Sequence, residues 1–433
     1  MAMEPQTPGA YTRVLLDRVG RGKNAKAIRR PFLFAAHDDR LLELQTAYIE
    51  LEFGLESLNA QIAVLADLTF LHDWTSLKKS QDPSWIEPQY RAAADKMPLT
   101  QQEVKDYGRW CQRKARSLKK AICDAKPNVV RLPDADVVGT RFRNRRLRNA
   151  SLFLQWLVTS LATTNDGGEA DISLTEIRKQ RLARWFDKQL LSDPKALPPG
   201  SLDAGEAQAL RQVIADRSVF PDTAIGTRDR LVLELLEQGL RAGELLKAQV
   251  ADVNDAYRID LGRTVGIISI ERRPNDVDDE RRREPAVKTR PGKLSIPKRL
   301  AQALLAYVTG ARRAAIDARG DGVETPYLFV NHTGQEVGRP LGQRNLNRIV
   351  AKLKGRFGLP SSLKPHALRH THFTELYDRL RQEGKSRADI RPLMIDRGRW
   401  GPKSKMPDRY TARSLMRESA DYVEERDRRL QRG

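Results

Sequence analysis

The chain has 433 residues and 40% hydrophobic content, enough to bury two or three cores and too apolar for a disordered tail. Its 77 lysines and arginines outnumber 56 acidic residues, giving a formal charge of +21 and a pI near 10.1. That balance points to a polyanionic partner, nucleic acid first and an acidic membrane surface second. No charged-then-apolar leader and no run of about 18 apolar residues appears, so neither secretion nor membrane spanning is expected. Cys111 and Cys123 lie twelve apart without Cys or His at ligand spacing, which suggests neither zinc nor a disulfide, and a reduced cytoplasm fits.

In chain order, residues 1–40 read as a mobile basic arm with at most one short helix, and residues 10–34 could touch DNA or another subunit. From Leu41 to Trp74, apolar residues recur at three and four, the pattern of one or two amphipathic helices. Thr100 and Glu103 form a capping-box signature that opens a further helix, expected to run to Ala125. Between Gly139 and Ala162, Arg141, Arg143, Arg145, Arg146 and Arg148 precede an apolar stripe. A basic end joined to a buried end suits a helix that grips a DNA backbone while docked on its own domain. A solvated charged face is the plainer alternative.

The segment 192–204, "SDPKALPPGSLDA", has a linker composition and separates a helical domain over 41–191 from a C-terminal domain over 205–433. In the latter, "YRIDLGRTVGIISIE" and "GKLSIP" alternate as strands do, so the expected fold is mostly α with a small antiparallel β-sheet. No internal repeat of solenoid length is present.

Four pieces of this second half could carry chemistry. Gly239 permits a break after the helical "TRDRLVLELLEQ", setting Arg241 and Glu244 three apart at the start of the next helix. Taken alone, Arg241 is a surface arginine paired with Glu244. Lys288 lies in "VKTRPGK" before the second strand, where a hairpin could deliver it to a site; alone, it is a solvated lysine. Asp276, Asp278, Asp279 and Glu280 are interleaved with arginines and read as a solvated loop rather than a metal site. "PHALRHTHFTE" opens a helix at Pro365 and lays His366 over Arg369, so that both could reach one small anion. Tyr410 precedes the last helix; a phenol becomes a nucleophile only beside positive charge or a base.

The set Arg241, Lys288, His366, Arg369 and Tyr410, in that order, resembles the tyrosine recombinases, or phage-type integrases. "GLRAGELLKAQVADV", "VKTRPGKLSIP", "YLFVNHTGQEVGR", "PHALRHTHFTEL" and "RYTAR" carry the resemblance over about 200–415, and "NRRLRNASLFLQWLV" extends it in outline to the helical region. The family's Leu-Gly-His box is missing; Trp400, ten residues before Tyr410, is expected in place of its histidine. The loop between Lys288 and the preceding strand is longer than usual in the family.

The resemblance implies a helical core-DNA-binding domain followed by an α+β catalytic domain. Arg241 and Arg369 would clamp the scissile phosphate, Tyr410 would attack to give a 3′-phosphotyrosine, Lys288 would protonate the leaving oxygen, and His366 and Trp400 would assist. Glu244 would support Arg241, and His370 and His372 would serve packing. No cofactor and no metal would be needed. The partner would be double-stranded DNA with specific recombination sites, gripped by a C-shaped clamp and a homotetramer, with accessory DNA-bending or directionality proteins and a tail helix docking on a neighbouring protomer. A mobile genetic element, with integration or transposition, is the setting ranked first, in the cytoplasm on the nucleoid. A type IB topoisomerase and a non-cleaving DNA-binding accessory protein are the alternatives.

Overall fold

The computed structural model describes residues 10–19, 26–36, 38–114, 137–161, 169–192, 200–260, 263–274, 276, 278–281 and 283–431. The chain divides into two compact units, Met1–Lys195 and Ala196–Gly433. The described residues are mostly α-helical with two small antiparallel sheets.

The first unit opens with a hairpin, where the basic character of the sequence suggested a mobile arm. Strands β1 (Ala10–Val19) and β2 (Lys26–Ala35) pair from Ala10↔Ala35 to Val19↔Lys26. The cause is the strand period in "PFLFA": Leu33 and Ala35 are fully buried, while Phe32 and Phe34 take the opposite face. Tyr11 stacks on Phe34, and Arg13 lies 5.1 Å above the Tyr11 ring.

The hairpin leads into α1 (Glu43–Phe53), α2 (Leu58–Gln81), α3 (Pro88–Ala93) and α4 (Gln101–Trp110). The capping box of α4 is present: Thr100 Oγ1 accepts from the Glu103 amide at 3.2 Å, and Glu103 accepts from the Thr100 amide at 2.6 Å. Helix α4 stops at Trp110 rather than running to Ala125, and residues 115–136, Cys123 among them, lie outside the described region. Helices α5 (Thr140–Ser160) and α6 (Glu169–Asp187) complete a core of Leu65, Leu68, Tyr107, Leu147, Leu154 and Phe186. Cys111 is buried in it, and burial pushes its thiol up to about 12.

The second unit is built on α7 (Ala204–Ala215), α8 (Ala224–Glu237) and the short α9 (Ala242–Lys247), followed by a sheet in the order β3 (Val253–Asp260), β4 (Arg263–Ile270), β5 (Gly292–Ile296). Then come α10 (Lys298–Tyr307), continued through a π-helical turn into α11 (Arg313–Asp317), α12 (Gln343–Ala351), α13 (Pro365–Gln382), α14 (Arg387–Gly398) and α15 (Met406–Gln431). Its main core gathers the apolar face of α8 with Leu245, Ile268, Leu294, Leu304, Val350 and Leu368. A smaller cluster joins Phe373, Tyr377, Ile390, Met394, Trp400 and Tyr410. Among the described residues no helix is long and apolar enough to cross a membrane.

Two local features aim side chains at one place. Gly239 has φ +89°, and a Cβ there would meet the His372 ring at 2.7 Å, so only glycine fits the turn that joins α8 to Arg241. Pro365 occupies the first turn of α13, where its missing N–H costs nothing, and so fixes where that helix begins.

Candidate active site

Glu244, 1% exposed, is the hub of the second unit's polar cluster. Its Oε2 accepts from the Arg241 backbone N–H at 2.9 Å and from Arg399 Nη2 at 2.6 Å. Its Oε1 accepts from the Thr289 hydroxyl at 2.6 Å and from Arg241 Nη1 at 3.4 Å. Arg369 Nη1 lies 3.5 Å from Oε2. Burial alone would raise the Glu244 pKa, but the Arg399 and Arg369 charges, with the Thr289 and Arg241 hydrogen bonds, hold it below the ordinary value. The carboxylate is therefore ionised and gathers three guanidiniums.

Arg369 is fully buried. It donates to the carbonyls of Gly239 and Gly398, tying the turn before Arg241 to the end of α14. Burial draws its pKa down to about 10 against the pull of Glu244, which leaves it charged at neutral pH. His366, three residues earlier, is exposed at the rim. Desolvation by neighbouring protein, then the charges of Arg369 and Arg241, lower its pKa. His366 is thus at the surface and Arg369 beneath it.

The ring against the tyrosine is His370, which sequence reading assigned to packing. His370 and Tyr410 centroids are 4.3 Å apart, and His366 meets His370 edge-on at 4.6 Å. The i, i+4 spacing on α13 was the available signal. Burial, then the positive character of His366 and Arg369, lowers His370 to about 4, so it is neutral at pH 7. Tyr410 is 1% exposed, enclosed by His370, Phe373 and Trp400, and its hydroxyl forms no hydrogen bond. Trp400 lies flat on it, centroids 5.1 Å apart and planes at 17°. His372 lies under the Gly239 turn, its ring accepting from Arg397 Nε at 3.3 Å.

Lys288 is exposed beside Thr289. The strand entering β5 is stitched to the cluster on both sides, by Thr289 to Glu244 and by the Arg290 N–H to the Arg399 carbonyl at 3.0 Å. The acidic excursion before it is not a solvated loop. Lys247, 1% exposed, pairs with Asp279 at 3.1 Å and with Glu284, and lies 3.7 Å from Asp276. Arg281 clamps Asp279 through two bonds of 2.7 and 2.8 Å, and Arg319 does the same to Glu280 at 2.7 and 2.8 Å. Asp278 stays exposed. The sequence hid this knot because Lys247 lies on a separate element.

The arginine row of α5 is also corrected. Arg143 and Arg146 are buried; Arg143 donates to the Gln189 carbonyl, and Arg146 donates to the Cys111 and Arg113 carbonyls at 3.0 and 2.6 Å. Arg145 forms a two-bond pair with buried Asp67 at 2.8 and 3.0 Å. Helical period turns Arg143 and Arg146 into the unit's own core, lays half-exposed Arg145 against Asp67, and leaves Arg141 and Arg148 exposed.

No protein-family model matches the chain. Among curated proteins it is similar to the tyrosine recombinase XerC of Pelobacter propionicus, 27% identical over 193 residues, or 44% of this chain and 51% of that protein. That likeness agrees with the resemblance to the tyrosine recombinases carried by the sequence motifs. The chain spans about half the length of that curated relative. Among solved structures, a XerA recombinase aligns over 77% of this chain and 98% of its own, with 16% identity and a TM-score of 0.32.

Proposed function

We propose that this chain is a tyrosine recombinase that cuts and rejoins double-stranded DNA at specific sites. The observation that carries the reading is the convergence of Arg241 and Arg369 on one buried, ionised carboxylate, with Tyr410 in the adjoining aromatic cluster, whose Phe373 and Trp400 rings lie 4.9 and 5.4 Å from the Arg369 guanidinium. A phosphodiester repels nucleophiles because its oxygens are negative, and more charge builds as the fifth bond forms; paired guanidiniums offset that charge. Tyr410 Oη attacks phosphorus, its proton passing toward His366 and His370. The P–O5′ bond breaks, and the leaving oxygen takes a proton from Lys288. The 3′-phosphotyrosine keeps the energy of the broken bond, so a second 5′-hydroxyl reverses the step. Because the Tyr410 hydroxyl and Arg369 are sealed here, the segment from α14 to α15 must shift before a DNA backbone can meet them.

An open groove on the second unit, lined by Arg283, Arg339, Arg344, Arg348 and Lys352, supports a duplex partner. We place it on a mobile genetic element, with integration by a homotetramer and accessory proteins, on the ground of its long, divergent N-terminal half.

A plasmid carrying two copies of the DNA that flanks the gene tests the reading. Deletion or inversion between the copies, abolished in Tyr410→Phe, is the expected result. Relaxation without exchange would favour a topoisomerase. Specific binding without either product would favour a DNA-binding protein that does not cleave, the reading that the sealed Tyr410 hydroxyl would then serve.

A further inference from the structure

The buried polar atoms without a hydrogen bond are concentrated around Glu244 and Tyr410: Arg369 Nε, His370 Nε2, Arg399 Nε, Trp400 Nε1 and the Tyr410 hydroxyl. Desolvated donors of this kind cost stability unless something completes them. Arg399 stands out among them. It is a non-glycine residue in the left-handed region, φ 52° and ψ 40°, at the end of α14, a conformation held against its own steric cost. Its side chain is 4% exposed, and its Nη2 takes the Oε2 of Glu244 at 2.6 Å, the oxygen that Arg369 approaches to 3.5 Å. Its backbone carbonyl accepts the Arg290 N–H, two residues beyond Lys288.

Three guanidiniums around one carboxylate leave a net of two positive charges on Arg241, Arg369, Arg399 and Glu244. A phosphodiester carries one negative charge and approaches two as it becomes five-coordinate, so the surplus matches the transition state rather than the ground state. Trp400 is placed differently. Its ring stacks on Tyr410 at 5.1 Å, meets Phe373 at a tilt at 4.7 Å, and crowds the Gly398 backbone. An indole N–H brings no charge, and a ring packed on the tyrosine shapes its cage.

Resting on the phosphoryl-transfer reading above, we propose that Arg399, not Trp400, is the third side chain that holds the scissile phosphate, sharing Glu244 with Arg241 and Arg369.

The test measures the single-turnover rate of covalent adduct formation by the full chain. The probes are nicked duplexes of the flanking DNA, with either an ordinary phosphodiester or a neutral methylphosphonate at the cleaved position. Arg399→Met is expected to lower the rate on the phosphodiester about 100- to 1000-fold. On the methylphosphonate, which is neutral and approaches only one negative charge as it becomes five-coordinate, the deficit should shrink below about tenfold. Trp400→Phe, which keeps the ring and loses the N–H, should lose less than about tenfold on both. Arg399→Lys keeps the charge and should recover part of the phosphodiester rate; it carries the test if Arg399→Met does not fold. An equal deficit on both probes for the Arg399 variants, or a Trp400→Phe loss as large as that of Arg399→Met, overturns the assignment alone. Absence of any wild-type adduct overturns the phosphoryl-transfer reading and this assignment with it.

Discussion

Lys247 Nζ lies 3.1 Å from the Asp279 carboxylate, and both side chains are closed to solvent. With Glu284, Asp276 and the Tyr327 hydroxyl around it, this ammonium pins the excursion that ends at Lys288. Removing it strands several buried acids. Lys247→Met is expected to cost about 3–5 kcal/mol in denaturant unfolding. Adding Glu284→Gln should return part of that loss, since one carboxylate is then uncharged, and a full recovery of the cleft around Asp279 is not expected.

Glu244→Gln tests the hub. Leaving buried Arg369 and Arg399 and half-buried Arg241 without their carboxylate should lower stability by about 3–5 kcal/mol at neutral pH. The sign with pH follows from its depressed folded pKa. The stability Glu244 contributes is fully present above its unfolded value of 4.5 and is lost as pH falls through the lower folded value. Unfolding curves of the variant should lack that acid component, so the gap between wild type and variant narrows below pH 4.5.

His370 behaves in the same direction at higher pH. Its folded pKa of about 4 lies below the ordinary 6.5. Above pH 6.5 both folded and unfolded states are neutral there; below it the unfolded chain takes up the proton first, and stability falls until about pH 4. His370→Gln should therefore flatten the stability profile in that window by about 1.4 kcal/mol per pH unit. His372 and His332, drawn down by burial to about 3 and about 4, keep the remaining slope.

On α5, burial separates two arginines that look alike in sequence. Arg148→Ala should leave stability within about 0.5 kcal/mol and reduce the salt dependence of duplex binding by about one ion, if the exposed guanidinium meets a phosphate. Arg146→Ala removes two donors from the Cys111 and Arg113 carbonyls and a cation 3.7 Å above Phe70. It should destabilise by about 1–3 kcal/mol. Isothermal titration at several salt concentrations, paired with urea unfolding, separates the two cases.

What was legible in the sequence was whatever depends on near neighbours. The break at Gly239, the start of α13 at Pro365, the Thr100–Glu103 box and the alternation of β4 and β5 are each set within a few residues. The set Arg241, Lys288, His366, Arg369 and Tyr410 comes from motifs scattered along the chain and their resemblance to a family, and its roles belong to the proposed function. What stayed hidden depends on contacts across the chain. The Lys247 knot joins α9 to residues 29 to 37 positions later, and no local pattern marks a lysine that will be buried. The arginines of α5 read as one basic row because spacing alone does not say which helical face meets Asp67 and Gln189. The N-terminal hairpin was obscured by basic residues laid over a period of two. Trp400 and Arg399 are adjacent, and only the left-handed turn at Arg399 sends one to Glu244 and the other to Tyr410.

The most direct test of the central claim is to trap the covalent intermediate and locate it. A nicked duplex of the flanking DNA loses its short strand after cleavage, so the adduct cannot be resealed. The account predicts an SDS-stable, protease-sensitive adduct in which the 3′ phosphate is joined to the peptide containing Tyr410, and none with Tyr410→Phe. An adduct that persists in Tyr410→Phe, or no adduct on DNA that the chain binds specifically, would contradict it.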